Sequence, residues 1–329
     1  TTVFSDFLVK VTASMLDYLI KSLAWIGRYG TQGFAISIFL GLALPQFAAA
    51  ARPLLAITIF IFVMLTFARA EEESVRALLK APKPLILASL WLIIAPAVLI
   101  TLILLCIGRA NLDPGLVLGL AVLGAAPPIM SAPAIAMLLG MEPTLLLSAV
   151  LVTTAVAPLV SPVLVDIIAG AAVPLDTGVL IQRLVLLIGG AILGAVVLRK
   201  VMGIQRIRSY RQTFDGIGVL MYFLFAIAAM DGVMEAALAE PARVAQFLGF
   251  AFAMAAMGFL TAWLALRWLP ATDRFLLGYC TCQRNMGLLI AALGASAPKT
   301  TFLFFALAQF PIYLMPMVMK LVAKRLQAR

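Results

Sequence analysis

The stretch GYCTCQRNMGLLIAALG, residues 278–294, decides the fold. Its flanks are apolar enough for a bilayer, yet its centre reads Thr281, Cys282, Gln283, Arg284, Asn285. An arginine at mid-bilayer depth costs at least about 2.5–3.5 kcal/mol on insertion scales. Such residues face a bundle interior or a water-filled cavity. The stretch therefore predicts a helical membrane bundle with a polar site inside it.

The rest of the chain agrees. Of its 329 residues, 64% are hydrophobic and 12% charged, whereas soluble domains run at roughly 45–50% and about 25%. Mean hydropathy is +1.13. Apolar runs of spanning length recur throughout, which predicts one all-α membrane protein and not several soluble domains. The net charge of +10 raises nucleic acid as a partner. The basic residues flank apolar segments, however, as the positive-inside rule requires, so no nucleic acid is expected. Cys106, Cys280 and Cys282 give no disulfide framework. The absence of histidine removes zinc sites of the usual kind and Ser-His-Asp or Cys-His catalysis. No nucleophile–base pair is evident, and neither an enzyme nor a cofactor is expected. No cleavable signal peptide is expected either.

Residues 1–29 carry one apolar stripe, with Phe4, Phe7, Leu8, Val11, Met15, Leu16 and Leu19, interrupted by Asp6, Lys10, Asp17 and Lys21. That pattern predicts an amphipathic helix lying in the interface, as an anchor or as a dimerisation or gating element. Ten spans follow, at about 31–50, 53–69, 84–107, 114–140, 143–169, 177–198, 214–231, 243–268, 272–294 and 300–320. With this alternation, eighteen of the 24 Lys and Arg residues fall on the side shared by both termini. Four, Arg52, Arg109, Arg243 and Lys299, fall on the other, and Arg183 and Arg284 lie within spans. The bias puts both termini in the cytoplasm and requires an even number of spans.

The two halves, 30–170 and 171–329, echo each other. Phe67 leads through a charged piece to Pro82, and Ala228 leads through MDGVMEAALAE to Pro241. Pro158 and Pro162 mark the fifth span as Pro311 and Pro316 mark the tenth. Five spans per half is an odd number, so the halves predict two inverted five-helix repeats, an organisation of secondary transporters.

In the fourth span, GAAPPIMSAPAIAM places Pro127, Pro128 and Pro133 within seven residues. Each proline removes a backbone donor and clashes with the preceding turn, so the helix must break. Broken backbone survives at membrane depth only when buried in protein or lining a cavity. The matching position of the second half is the opening stretch. The broken fourth and ninth helices are expected to cross at the midplane. A half-helix starting near Asn285 aims its amides there and favours an anion; Arg284 adds a full charge and up to five donors. The candidate substrate-binding residues are Pro128, Ser131, Pro133, Thr281, Gln283, Arg284, Asn285 and Gln309, with no metal site among them. The competing reading makes Arg284 an internal glue residue on freed carbonyls, and the two can coexist. Thr153 and Thr154 are weaker candidates, Arg183 and Asp166 are expected to snorkel or face loops, and Cys280 and Cys282 to be small packing residues.

These features resemble the bile acid:sodium symporter family, whose ninth span carries a motif like E-x-G-M-Q-N-S-G-L. Asn285, Gly287 and Leu288 match its N-x-G-L part; of the fourth-span motif like P-G-G-T-A-S-N, only the proline break and Ser131 agree. The resemblance implies a core of spans 3–5 and 8–10, a panel of spans 1, 2, 6 and 7, and alternating access between them. It also implies sodium sites built on the ninth-span glutamate and glutamine, which correspond to Cys280 and Arg284, and on a fourth-span asparagine, which corresponds to Ala132 or Pro133. Sodium wants oxygen ligands and an arginine repels it, so Arg284 reads as a built-in replacement for the ion. Arsenite permeases also look similar in their ninth-span Arg-Asn, but typically carry a cysteine in the fourth-span break that this chain lacks.

The expectation is a divergent bacterial member of that family in the inner membrane. It would carry a small-to-medium organic anion without sodium, by uniport, exchange or proton coupling. Its partners would be that anion and membrane lipid, with a homodimer as the candidate assembly. The alternatives are sodium-coupled uptake of a bile-acid-like organic acid, metalloid efflux through Cys280 or Cys282, and a ligand sensor that does not translocate.

Overall fold

The computed structural model describes residues 18–26, 39–70, 82–170 and 175–327. Most of the expected interfacial helix, much of the first span and the charged stretch 71–81 lie outside the described residues. The described chain is all-helical apart from one isolated two-residue bridge. The main helices are α1 (Pro45–Arg69), α2 (Pro82–Ile107), α3 (Pro114–Ala125), α4 (Ala132–Leu138), α5 (Thr144–Ala169) and α6 (Thr177–Met202). They continue as α7 (Arg211–Ala229), α8 (Val233–Ala239), α9 (Pro241–Ala265), α10 (Ala271–Cys282), α11 (Met286–Leu293) and α12 (Lys299–Gln327).

Among the described residues, six helical stretches are long and apolar enough to cross a membrane: α1, α2, α5, α6, α7 together with α8, and α9. α2 shows what surrounds them. Ile86, Leu90, Ile94, Val98, Leu102 and Leu105 recur at helical spacing down one side and are all exposed. Water would make such a stripe costly, and lipid does not. The chain is an integral membrane protein.

The sequence places the first helix boundary near residues 51–53, and the structure moves it. The helix breaks at Leu44 and then runs unbroken from Pro45 to Arg69, through a 3₁₀ turn at Arg52–Leu54. Pro45 sits in the first turn, where a missing N–H costs nothing, and the 3₁₀ turn accommodates Pro53 in the same way. The prolines inside α5, Pro158 and Pro162, leave that helix continuous.

Packing follows small residues. α3 lies against α2, α5 and α12; α9 lies against α10 and α12; α1 lies against α6, α7 and α11. Asp113 caps α3, its carboxylate accepting from the amides of Gly115 (2.8 Å) and Leu116 (3.1 Å). Thr301 then donates to the Gly115 carbonyl at 2.9 Å, which brings α12 onto the glycine face of α3. α1 and α7 run antiparallel, pinned by Arg52–Asp231 (2.8 Å) at one end and Arg69–Asp215 (2.6 Å) at the other.

A Cβ at Gly119 would fall 2.5 Å from the ring of Phe304. Gly119→Leu should therefore push α3 off α12 and destabilise the protein by about 1–3 kcal/mol. Thermal unfolding in detergent should show a lowered midpoint. Gly249→Ala, where a Cβ meets nothing within 4 Å, should show no loss.

Candidate functional site: the crossing of two broken helices

Pro127 and Pro128 end α3. The residue before a proline is driven out of the helical region, and Ala126 is extended at φ −63°, ψ 147°. The chain stays non-helical until α4 starts at Ala132. The second break holds no proline. α10 ends at Cys282, Gln283 is extended at φ −101°, ψ 100°, and α11 begins at Met286. What opens it is pairing with the first break. The Asn285 amide donates to the Pro127 carbonyl (2.8 Å) and the Ile129 amide to the Gln283 carbonyl (2.9 Å), an antiparallel bridge centred on Pro128 and Arg284. Each break satisfies polar backbone that the other exposes, as a chain in lipid requires.

Arg284 completes the accounting. Its guanidinium donates to the carbonyls of Ala126, in the first break, and of Cys280, at 3.3 Å. Ser161 of α5 donates to the neighbouring Ala125 carbonyl at 2.8 Å. Arg284 is 2% exposed, and its Nε has no partner among the described residues. Among the described residues no carboxylate pairs with it, and its titratable neighbours are the thiols of Cys280 and Cys282. The guanidinium is thus hydrogen-bonded but not neutralised, an arrangement that burial makes costly.

Beside it lies a narrow, partly open cavity of ≈ 40 Å³. Arg284, Asn285, Met286 and Gly287 form one wall, Ile129 and Met130 of the first break another. Ile59 and Phe62 of α1, Tyr222 and Phe225 of α7, and Gln309, Ile312 and Tyr313 of α12 close it. The cavity sits where α1 and α7 meet the two breaks. A Cβ on Gly287 would come within 3.0 Å of Phe225 and 3.1 Å of Ile59, so glycine is what lets the start of α11 approach both helices.

Of the residues singled out from sequence, Arg284, Asn285 and Gln309 line this cavity together. Gln309 donates to the Phe305 carbonyl at 3.0 Å. Pro128 pairs through its backbone with Arg284, and Ser131 faces the Tyr222 side chain. Gln283 is fully buried beside Cys282 with its Oε1 unpartnered among the described residues. Thr281 accepts from the indole of Trp91 (2.9 Å) and donates to Leu277 (2.7 Å), away from the cavity. Pro133 is buried in the first turn of α4. Thr153 bonds the Ala149 carbonyl of its own helix at 2.7 Å. Arg183 does not snorkel: it donates to the carbonyls of Ala292 and Leu293 (both 3.1 Å), capping the C-terminus of α11 where a cation is favoured. The aromatic side of the cavity, Phe62, Tyr222, Phe225 and Tyr313, escaped the sequence reading. Its one signal is the hydroxyl-bearing MYFLF and PIYLM runs.

Cys280 is fully buried and Cys282 nearly so, while Cys106 is exposed near the end of α2. Neither buried thiol lines the cavity. Maleimide treatment of the folded protein, read by peptide mass spectrometry, should therefore modify Cys106 and leave Cys280 and Cys282 unmodified until denaturant is added.

No curated protein matches the chain. The family model described as the sodium bile acid symporter family matches residues 54–239, a stretch that contains the first break and ends before the second. That match spans more than half of the 329 residues and fits a bundle of apolar helices crossing a membrane, so the chain is a membrane transporter belonging to the sodium bile acid symporter family.

Proposed function

We propose that this protein carries a small-to-medium organic anion across a bacterial inner membrane by alternating access, without coupling to sodium. The observation that carries the reading is Arg284. It is buried at the crossing of the two breaks, lines the cavity and has no carboxylate partner among the described residues. An arriving carboxylate, sulfonate or sulfate would supply the missing charge. Asn285, which lines the cavity, and the amides at the start of α11 would add donors to it. Apolar and aromatic walls would hold the rest of the molecule.

The residues at the crossing do not fit a sodium ion. The Ala126 carbonyl oxygen there already accepts from Arg284, and a fixed guanidinium repels a second cation. The described residues contain no cluster of three or more carboxylate, thiol or imidazole groups. Metalloid transport draws no support from Cys280 and Cys282, since neither reaches the cavity.

The wider architecture completes the proposal. Ten spans form two inverted five-helix repeats, 30–170 and 171–329, preceded by the interfacial helix 1–29, with both termini cytoplasmic. Spans 3–5 and 8–10, α2 to α5 and α9 to α12, would move as a core against a panel of spans 1, 2, 6 and 7. The cavity then lies between the two groups, where relative motion would open it to either side in turn.

The test is uptake of labelled organic carboxylates, graded in size, into proteoliposomes with and without a sodium gradient. Equal uptake in both is expected, and sodium-driven uptake would sink the reading. Arg284→Gln should weaken anion affinity by roughly 10- to 100-fold, the worth of a charged hydrogen bond. Arg284→Lys should recover part of that loss. An unchanged affinity in Arg284→Gln would remove the residue from substrate binding.

A further inference from the structure

Resting on that transport reading, we infer that the protein is preferentially an exchanger of monovalent anions, with Arg284 as the fixed charge that slows the crossing of the empty site. Arg284 is 2% exposed and bonded to the carbonyls of Ala126 and Cys280, so it cannot leave the crossing to find water. Neutral groups are its hydrogen-bond partners, and its Nε is unpartnered among the described residues. The polar residues that line the cavity with it, Asn285, Gln309, Tyr222 and Tyr313, carry no acid. The empty site therefore holds one net positive charge, and a site loaded with one monoanion holds none.

A transporter coupled to a mobile cation can shed its charge: the ion leaves, and the empty protein returns neutral. Here the cation is part of the chain. Reorientation of the loaded site moves a neutral pair, while reorientation of the empty site drags an uncompensated guanidinium past apolar walls. Burying an unpaired ion costs several kcal/mol after relaxation, and each 1.4 kcal/mol is tenfold in rate, so the empty step should be at least about 10-fold slower. The protein then turns over by trading one anion for another, which is electroneutral. Net entry, which needs the empty step, carries the Arg284 charge outward as the site returns. An inside-positive potential should speed it. A charge crossing the whole field would respond about 50-fold per 100 mV, and one crossing part of it several-fold. A dianion would leave the loaded site charged as well and should exchange poorly.

The full-length protein in sodium-free proteoliposomes provides the test, with two labelled probes that stay charged, taurocholate and 4-toluenesulfonate. Vesicles preloaded with the unlabelled probe should take up label about 10-fold faster than empty ones. That exchange should be indifferent to a potassium diffusion potential set with valinomycin. Slow uptake into empty vesicles should be several-fold faster with the inside positive. Arg284→Lys, which keeps the charge, should preserve the preference for loaded vesicles, and Arg284→Gln should abolish it in whatever uptake remains. If Arg284→Gln fails to fold, the wild-type comparison of loaded and empty vesicles still decides. Sodium-independent uptake that enters empty and loaded vesicles equally fast overturns the exchange inference and leaves the proposed function standing. Uptake that needs sodium, or no uptake of either probe under any condition, overturns both.

Discussion

Two consecutive prolines inside an apolar bundle create a debt of unpaired backbone, and the structure is organised around settling it. Pro127 and Pro128 force the chain extended and strand the carbonyls of Ala125, Ala126 and Pro127 where lipid offers no donor. Three donors reach them from three elements: the Ser161 hydroxyl from α5, the Arg284 guanidinium, and the Asn285 amide from the second break. The second break follows from the first. Residues 283–285 contain nothing that forbids a helix, yet they unwind because the extended segment at 127–129 offers them a partner strand. Two elements far apart in sequence thus share one local defect, and neither would persist alone.

Arg284 sits where the two breaks and the cavity meet. As glue, it bonds one carbonyl from each broken helix and fixes how they cross. A neutral donor could do that, at lower cost in desolvation. A cation adds a charge that these bonds do not require, and that charge lies beside the cavity. The readings of Arg284 as glue and as anion site therefore support each other. Its hydrogen bonds hold the guanidinium in place, so that its remaining field is aimed and not averaged away by side-chain motion.

How much was legible in the sequence follows from what each feature owes to local chemistry. Spanning helices were readable because hydropathy is a property of a single segment, and the first break because prolines act within one turn. The second break was readable through its polar residues, Gln283, Arg284 and Asn285, although its cause lies in the partner segment around Pro128, in the other half of the chain. The boundary near residues 51–53 misled because Arg52-Pro53 looks like a loop, while a 3₁₀ turn carries the helix through it. Arg183 misled because a basic residue near a span end usually reaches for solvent, and here the C-terminus of α11 reaches it first. Phe62, Tyr222, Phe225 and Tyr313 were invisible as cavity walls. An aromatic facing a cavity and one facing lipid look alike in sequence, and only the packing of α1, α7 and α12 separates them.

The cavity's position carries the last step. Its polar wall belongs to the two breaks, which are mutually bonded and cannot part without stranding backbone. Its apolar wall belongs largely to α1 and α7, which are pinned to each other by ion pairs at both ends. Between the walls Ser131 of the first break faces Tyr222 of α7, and Gly287 packs against Phe225 and Ile59 by van der Waals contact. Contacts of that kind slide at little cost, whereas the bonds within each wall do not. Glycine at 287 keeps the surface beside the cavity smooth.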